Sequence, residues 1–287
     1  MPQTAHENPL ENSLDACEAD FDLARIRAGT DVRRVECHRV LASTSDRALE
    51  LASRDVLETP FLVLAEVQTG GRGRGANRWW AAPGALTFSL IVEAARLRVP
   101  PERWPKLALT AGLAVSDTLS ELAPGAGRGL KWPNDVYLAG RKIGGILVEV
   151  PSSRSGRVVL GIGINVNNSL AEAPRELRDL ATSLLDETGR RFALTDVLIG
   201  VLARLSREFA ALAGADVDLS DRWRATCLLA GRRLTVAAGD ETIEGLGLGI
   251  DRDGALVIET AHGPRRVFSG TVNSTDRDTP ASHSADC

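Results

Sequence analysis

The sequence predicts an α+β fold, in which a mixed β-sheet carries packed helices and a small β-barrel follows it. Strand-like apolar runs outnumber helix-like runs, and several of them are joined by short turns, as in hairpins. After Gly231 the pattern changes to short apolar segments separated by glycine or aspartate turns, which is typical of a small barrel. A chain of 287 residues is long enough for one large unit and one small unit.

Both ends of the chain are predicted to be polar tails. Residues 1–24 contain six acidic residues and neither lysine nor arginine, which indicates a solvated segment with a short helix over about 14–27. The predicted organisation is an acidic tail over 1–32, a large domain over 33–228, a barrel domain over 229–274 and a polar tail over 275–287.

Apolar runs predict the strands of the large domain. A buried strand over 61–65 leads into a loop rich in glycine and arginine. Residues 135–138 and 143–150 predict a hairpin that turns at 139–141. Further strands are predicted over 33–41, 85–92 and 158–166, and those of the barrel over 234–237, 242–248, 256–259 and 266–268.

Capping residues and apolar spacing predict the helices. Ser43 begins a run of N-cap residues before a helix that ends near Ala52. Pro105 is placed to start a long helix, because proline is favoured at the first helical position. A second amphipathic helix is predicted over 198–212, and a short one over 219–227.

Composition excludes several classes of protein. The net charge is only −4, so no overall positive field argues for nucleic acid as a partner. The four cysteines form no CxxC pair, which argues against a zinc site or a disulfide framework and fits a reducing cytoplasm. We find no signal peptide and no apolar run near the length of about 18 residues that a membrane span needs. We therefore expect a cytoplasmic protein.

The loop Gly71–Gly75 (GRGRG) is the first candidate for function. Alternating glycines let the backbone approach a ligand closely, and successive N–H groups in such a loop can bind an anion. Arg72 and Arg74 add bidentate donors for phosphate or carboxylate. The alternative is a flexible basic surface loop.

The segment Lys131–Asp135 (KWPND) is the second candidate. Only three of the 34 basic residues are lysines, namely Lys106, Lys131 and Lys142. An ammonium group can neutralise an attacking carboxylate and a phosphoryl group together, so that two anions can approach each other. Asn134 and Asp135 can hydrogen-bond locally or contact a hydrated Mg²⁺. The alternative is a plain turn with a surface lysine.

Glycines inside two predicted strands point to the same region. Gly144 and Gly145 open one strand, and Gly161 and Gly163 alternate in another that ends at Asn165. Glycine in a strand often marks the close approach of a ligand, although a bulge or a packing contact is an equal alternative.

Four motifs, taken in order and spacing, resemble those of the biotin–protein ligases, also called biotin–[acetyl-CoA-carboxylase] ligases. The resemblance extends over about residues 34–274 and includes parts of the predicted barrel. The motifs are EVQTGGRGR at 66–74, KWPND at 131–135, KIGGILVE at 142–149 and GIGIN at 161–165.

The resemblance implies a reaction in two steps. The carboxylate of biotin attacks the α-phosphate of magnesium-bound ATP and gives biotinyl-5'-AMP and pyrophosphate. A lysine of a biotin carboxyl carrier protein, from acetyl-CoA carboxylase or another biotin-dependent carboxylase, then takes the biotinyl group. The resemblance further implies a class II synthetase-like catalytic domain over 33–228 and an SH3-like barrel over 229–274. We expect a monomer or a homodimer.

The motif positions also imply roles for residues. Lys131 and Arg74 are expected to be catalytic, the first at the carboxylate and α-phosphate and the second in a loop that covers the adenylate. Mg²⁺ is expected to arrive with ATP rather than in a protein cage. Biotin is expected to contact Ser43, Thr44, Gln68, Gly71, Arg72, Arg74, Lys131 and Gly145. ATP is expected to contact Arg72, Arg74, Trp79, Lys131, Asn134 and Asn165.

The sequence departs from the family pattern in three places. Ser45 stands where asparagine is usual, which is expected to weaken a helix cap or a supporting contact. Residues 75–78 replace the usual basic continuation of the loop. The DNA-binding domain of the repressor-type members is absent, so we expect no DNA partner.

Two other functions stay open at this point. A lipoate–protein ligase shares the fold and the adenylate chemistry, but the loop and the barrel favour biotin. A non-catalytic, biotin-dependent regulator is the other alternative, and Lys131 argues against it.

Overall fold

The computed structural model describes residues 20–151, 156–214 and 218–274. The described chain contains two β-sheets. The first is built from β1 Arg34–Leu41, β2 Phe61–Gln68, β3 Leu86–Glu93, β4 Arg128–Lys131, β5 Asp135–Leu138, β6 Arg141–Glu149 and β7 Arg157–Ile164. The second is built from β8 Arg233–Ala238, β9 Glu241–Ile250, β10 Leu256–Thr260, β11 Gly263–Val267 and β12 Thr271–Ser274.

Helices precede and connect these strands. Short 3₁₀ turns occur at Pro101–Arg103 and Leu170–Glu172. The α-helices are α1 Leu23–Gly29, α2 Thr44–Ala52, α3 Ala94–Leu97, α4 Pro105–Leu122, α5 Arg175–Arg178, α6 Leu184–Thr188, α7 Leu194–Leu212 and α8 Ser220–Arg224.

The first sheet is mixed. Its seven strands lie in the order β1-β2-β3-β7-β6-β5-β4. β1 and β2 are parallel, whereas every other neighbouring pair is antiparallel. The predicted α+β class and mixed sheet are therefore confirmed.

The second sheet is antiparallel, in the order β11-β10-β9-β8-β12. Within the described chain, β11 and β12 are its two edges. Strands were predicted at the positions of β8 to β11, and β12 was not predicted. The closure into an SH3-like barrel goes beyond the observed pairing and stays a prediction.

Alternation along the strands separates a large core from the face that carries the candidate site. Leu160 and Ile162 of β7 point into the core beneath α4 and α7. Gly161 and Gly163, one residue out of phase, lie on the opposite face, which α2 partly covers. Burial of each large apolar side chain contributes roughly 1.5–3 kcal/mol to the free energy of folding. The core face therefore stabilises the sheet, and the other face can carry small residues.

The second sheet docks on the first through a turn at Gly254. The Trp132 indole donates a hydrogen bond to the Gly254 carbonyl, at 3.1 Å, and the Lys106 ammonium donates to the Arg252 carbonyl. Gly254 has φ of 86°, and a Cβ there would lie 2.7 Å from Leu109 Cδ1. Only glycine meets both conditions, and the turn therefore fits closely against α4.

The predicted acidic tail is partly wrong. Residues 1–19 lie outside the described residues, but Phe21, Ile26 and Val32 are buried in the core. The Asp22 carboxylate caps α1, and Arg25 pairs with Asp196 of α7 at 2.7 Å. Residues 20–32 therefore pack with the large domain, because sparse apolar residues among acidic ones still bury a helix face. The other domain boundaries stay predictions.

Two expectations drawn from composition can be compared with the structure. Cys37 on β1 is disulfide-bonded, which corrects the expectation of reduced cysteines at this position, whereas Cys227 is a free thiol. The other two cysteines lie outside the described residues. Of the described helices, none is both long enough and apolar enough to cross a membrane.

Candidate active site

A cavity of about 390 Å³ opens on the α2 face of the first sheet and reaches the second sheet. It brings together most of the residues predicted from the motifs. Its walls include Thr44, Ser45, Gln68, Arg72, Arg74, Trp79, Lys131, Asn134, Asp135, Lys142, Gly145, Gly161, Gly163 and Gly270.

Uncharged polar groups form one end of this cavity. The Ser43 hydroxyl caps α2 by accepting from the Asp46 amide, as the sequence predicts. The Thr44 amide donates to Gln68 Oε1 at 2.7 Å, and the Ser89 hydroxyl donates to Thr44 Oγ1 at 3.0 Å. Ser45, expected to weaken a supporting contact, lies 3.3 Å from Ser89 and joins the same network. This end presents fixed donors and acceptors without charge.

The floor of the cavity is bare backbone. A side chain at Gly161 would overlap the Ser45 hydroxyl, and one at Gly163 would overlap the Trp79 indole. Both positions therefore require glycine for steric reasons, because the Ser45 and Trp79 side chains pack directly on the β7 backbone.

The glycine-arginine loop is a folded hairpin, which we call the arginine hairpin (residues 71–79). Arg72 and Arg78 form an antiparallel bridge, and the Trp79 amide donates to the Gly71 carbonyl at 2.9 Å. A Cβ on Gly71 would lie 2.5 Å from the Trp79 carbonyl oxygen. Gly75 has φ of 64° near the tip of the hairpin. The glycines predicted for ligand approach therefore also close this turn.

The two predicted arginines have different partners. Arg72 donates from both terminal nitrogens to Glu149, at 2.9 and 2.7 Å, and its Nε lies 2.7 Å from Asp46 Oδ1. The hydrogen bond to Glu149 is the main reason that the pKa of Arg72 is raised. Arg74 instead donates to the Gly270 carbonyl of the second sheet, at 2.7 Å.

The opposite wall, which we call the lysine wall (residues 128–149), consists of β4, β5 and β6. Lys131 lies opposite Asp135 in the register of β4 and β5, and it lines the cavity. Asn134 fixes the turn, because its side-chain amide donates to the Ile146 carbonyl at 2.8 Å. Trp132 is buried, and its indole donates to the Gly254 carbonyl.

Lys142, on the same wall, was not assigned a role from the sequence. Its ammonium nitrogen lies 2.7 Å from Asp135 Oδ1. It also lies 3.8 Å from the place of a Cβ on Gly145. The backbone of Lys142 is held on both sides, by the Leu180 carbonyl and the Thr182 amide, each at 2.9 Å. The cavity therefore contains two lysines of a chain that has only three.

Comparisons with known proteins agree with this geometry. Residues 37–167 match the Biotin/lipoate A/B protein ligase family, and residues 230–272 match the Biotin protein ligase C terminal domain. A biotin–[acetyl-CoA-carboxylase] ligase of Mycobacterium tuberculosis is 34% identical over 250 residues, which are 86% of this chain and 91% of the relative. A bifunctional ligase/repressor of Bacillus subtilis is 34% identical over 239 residues, which are 82% of this chain and 72% of the relative.

The chain belongs to the biotin protein ligase family. A biotin protein ligase from Aquifex aeolicus, solved in complex with biotin and ATP, superposes with a TM-score of 0.72 at 29% identity and covers 84% of this chain and 98% of that chain. The resemblance seen in the motifs is confirmed, and biotinylation of a carboxylase carrier protein is the known function of the family.

Three residues predicted for this biotin protein ligase site do not line the cavity, namely Ser43, Gly71 and Asn165. Asn165 is buried and does not line the cavity. Its amide donates to the Thr182 carbonyl at 2.9 Å and its oxygen accepts from Asn168 at 3.0 Å. Since the Thr182 amide donates to the Lys142 carbonyl, Asn165 supports the lysine wall from behind.

Two residues at the site were missed by sequence reasoning, namely Lys142 and Glu149. Asp135 was assigned to local hydrogen bonds or Mg²⁺, and its ion pair was not predicted. The rarity of lysine pointed to Lys142 as much as to Lys131, and it was the available signal. Asp135 and Glu149 ended their motifs without an assigned partner. Their ion pairs to Lys142 and Arg72 join distant segments, which spacing along the chain does not reveal.

Proposed function

We propose that this chain activates biotin with ATP to biotinyl-5'-AMP and then transfers the biotinyl group to a lysine of a biotin carboxyl carrier protein. The observation that carries the proposal is the division of one cavity. Uncharged donors and acceptors form one end, and Lys131, Lys142 and Arg74 form the other. A ligand with a neutral polar ring and a carboxylate tail matches this division.

The uncharged end is assigned to the ureido ring of biotin. A urea offers one acceptor oxygen and two N–H donors, and hydroxyl and amide side chains supply partners for both. Thr44 and Gln68 are available in the cavity wall, and Ser43 holds them by capping α2. The bare backbone at Gly145 leaves room for the rings. Preset hydrogen-bonding groups bind such a ring with little ordering cost.

The charged end is assigned to the carboxylate of biotin and the phosphates of ATP. Attack of one anion on another needs a cation between them, and the charge must already be in place when the bond forms. Lys131 holds this role in the prediction from motifs. Lys142 shares it in our proposal, because its ammonium lies beside Gly145 and Asp135 in the same wall.

The nucleotide is assigned to the side of the cavity bounded by Trp79 and Asn134. The Trp79 indole Nε1 is buried and has no hydrogen-bond partner in the described part of the chain. A purine ring with an acceptor nitrogen would satisfy it, and the indole face can stack on such a ring. Asn165 acts on this site only indirectly, through Thr182 and Lys142.

Magnesium enters the proposal as part of the substrate, magnesium-bound ATP. The described residues contain no group of three or more His, Cys, Asp or Glu that could hold a metal ion. The carboxylate of Asp135 and the side-chain oxygen of Asn134 are oxygen donors in the cavity wall. Mg²⁺ is often bound by one or two protein oxygens together with substrate phosphates, so these residues fit it.

The second step requires that the adenylate stay protected from water. A mixed anhydride hydrolyses in solution, and a loop that covers it prevents this loss. The arginine hairpin is placed to do so, since Arg74 reaches across the cavity to Gly270. The amine of the carrier lysine then attacks the acyl carbon and AMP leaves with the bonding electrons.

Isotope exchange between pyrophosphate and ATP tests the proposal. We expect exchange with biotin and none with lipoate, followed by transfer of biotin to a purified biotin carboxyl carrier domain. The variant Arg207→Ala, on the face of α7 away from the cavity, serves as a control and should keep full activity. Exchange with lipoate would support a lipoate ligase. Absence of exchange with either acid would support a non-catalytic regulator.

A further inference from the structure

Arg72 has the most complete set of charged partners in the cavity wall. Its guanidinium forms a bidentate pair with Glu149 and a third contact with Asp46, and its side chain is 34% exposed. The Nε–H is not aligned with the Asp46 oxygen, so this contact is a charge pair rather than a hydrogen bond. Fork-to-carboxylate geometry is the strongest form of this interaction and fixes orientation as well as distance.

The charge balance around Arg72 argues against a role as a nucleotide ligand. One guanidinium faces two carboxylates, so the local sum is negative. A phosphate approaching Arg72 would be repelled by both acids. Arg74, two residues along the hairpin, donates to a neutral carbonyl and has no ion pair within the described ranges. Of the two, Arg74 is the arginine with charge available for an anion.

The two acids belong to different elements that border the cavity. Asp46 is in the first turn of α2, directly after Thr44 and Ser45. Glu149 is the last residue of β6, four residues after Gly145. Arg72 therefore joins the hairpin to both the helix and the strand that border the proposed biotin site.

We propose that Arg72 is a positioning residue that latches the arginine hairpin to Asp46 and Glu149 and so keeps the cavity covered. It holds the hairpin closed before and after adenylation, whereas Arg74 contacts the reacting groups. This inference rests on the proposed function for its effect on the adenylate. The latch itself is a property of the free protein.

Limited proteolysis with trypsin tests the latch without any substrate. Trypsin cleaves after Arg74 and Arg78 only when the hairpin opens, and neither Glu149→Gln nor Asp46→Asn changes the number of cleavage sites. We expect Glu149→Gln to speed cleavage in the hairpin about tenfold, and Asp46→Asn less, since a bidentate half-buried pair outweighs an exposed contact. Glu241→Gln breaks an exposed pair with Arg265 and is the matched control.

A second measurement follows release of preformed biotinyl-5'-AMP from the protein. Arg72→Lys and Glu149→Gln should each speed release about tenfold while the KM for ATP changes less than about twofold, because Arg72 contacts Asp46 and Glu149 and not the nucleotide. The double variant Arg72→Glu with Glu149→Arg should restore part of the slow release.

Two outcomes would overturn the latch. One is unchanged trypsin cleavage in Glu149→Gln and Asp46→Asn with the fold intact by thermal unfolding. The other is a rise in the KM for ATP in Arg72→Lys without faster release, which would return Arg72 to the nucleotide site. If the parent protein formed no adenylate but Glu149→Gln still opened the hairpin, the proposed function would fail and the latch would stand.

Discussion

The two walls of the cavity are built in different ways. The lysine wall is part of the sheet, and its strands are bound to β7, to residues 226–228 and to the Gly254 turn. The arginine hairpin has its own short bridge, but side chains supply the contacts of Arg72 and Arg74 with the rest of the molecule. Side-chain contacts break more readily than a strand ladder.

The difference matches what each wall has to do. A cation that stabilises a developing charge contributes most when it cannot relax away, so the lysines belong on a rigid strand. A cover must open to admit ATP and to let the carrier lysine reach the adenylate. In the proposed mechanism, the reacting charges are therefore fixed and the cover is movable.

Removal of an ammonium from the rigid wall should have the largest effect. We expect Lys131→Ala and Lys142→Ala each to lower the rate of adenylation about 100-fold or more, because no other group can occupy the lost position. Biotin affinity should fall far less, since the ureido end is untouched. Single-turnover adenylation and isothermal titration measure the two quantities. Equal loss of rate and affinity in one variant would remove the catalytic role from that lysine.

A change at Arg74 of the arginine hairpin should alter the selectivity of labelling more than the rate of adenylation. In Arg74→Gly the contact with the Gly270 carbonyl is lost, so the adenylate should escape and label lysines of bystander proteins. Labelling of bovine serum albumin mixed with the ligase measures the escape. Labelling at the parent level would show that Arg74 does not close the cover.

The rigid wall should also respond to crowding behind it. A Cβ on Gly129 of β4 would lie within 2.6–2.8 Å of the Leu228 side chain, so Gly129→Ala should lower the free energy of unfolding by about 1–3 kcal/mol. Gly127→Ala is the matched control, because no atom lies within 4 Å of its Cβ position. Thermal unfolding of both variants makes the comparison. Equal Tm values would mean that Leu228 moves aside without cost and that the lysine wall is less rigid than we infer.

The smallest effect on activity is expected at Glu36 of β1, which forms an ion pair with Arg47 of α2. Burial raises the pKa of Glu36, but hydrogen bonds from His38 and Arg47 outweigh it and bring the pKa down from 4.5 to about 2. A carboxyl with a lowered pKa stabilises the fold above its unfolded pKa, and this contribution is lost as the pH falls from 4.5 to 2.

The contribution of Glu36 should reach on the order of 3 kcal/mol. Urea unfolding at pH 6 and at pH 3 should show a weaker acid dependence in Glu36→Gln than in the parent protein. Activity at pH 7.5 should change little, since Glu36 does not line the cavity. An identical pH dependence of the two proteins would show that Glu36 is not the titrating group.

Local chemistry made much of this fold predictable. Ser43 and Pro105 begin helices where capping preferences place them. The hairpin predicted over 135–150 is present, and Ala139 and Gly140 at its turn have φ of 48° and 78°. Such features depend on a few neighbouring residues, so the sequence displays them directly.

Long-range side-chain contacts could not be predicted in the same way. Arg72 and Glu149 are 77 positions apart, and no periodicity links them. Asn165 carried a polar signal at a strand end, but whether it faces the cavity or Thr182 depends on how residues 180–184 return to β6. The burial of Phe21 likewise requires α7, which lies far along the chain.

The contact between Arg74 and the Gly270 carbonyl has a consequence for how the protein can be divided. Arg74, near the tip of the arginine hairpin, contacts the residue directly before β12, which follows the whole first sheet in the chain. A fragment ending near residue 229 would keep both lysines and the groups that we assign to the ureido ring, but its hairpin would lack the Gly270 carbonyl that accepts from Arg74. Such a fragment should form biotinyl-5'-AMP and release it into solution. The second sheet thus supplies the surface on which the arginine hairpin closes, so retention of the adenylate requires both units in one chain.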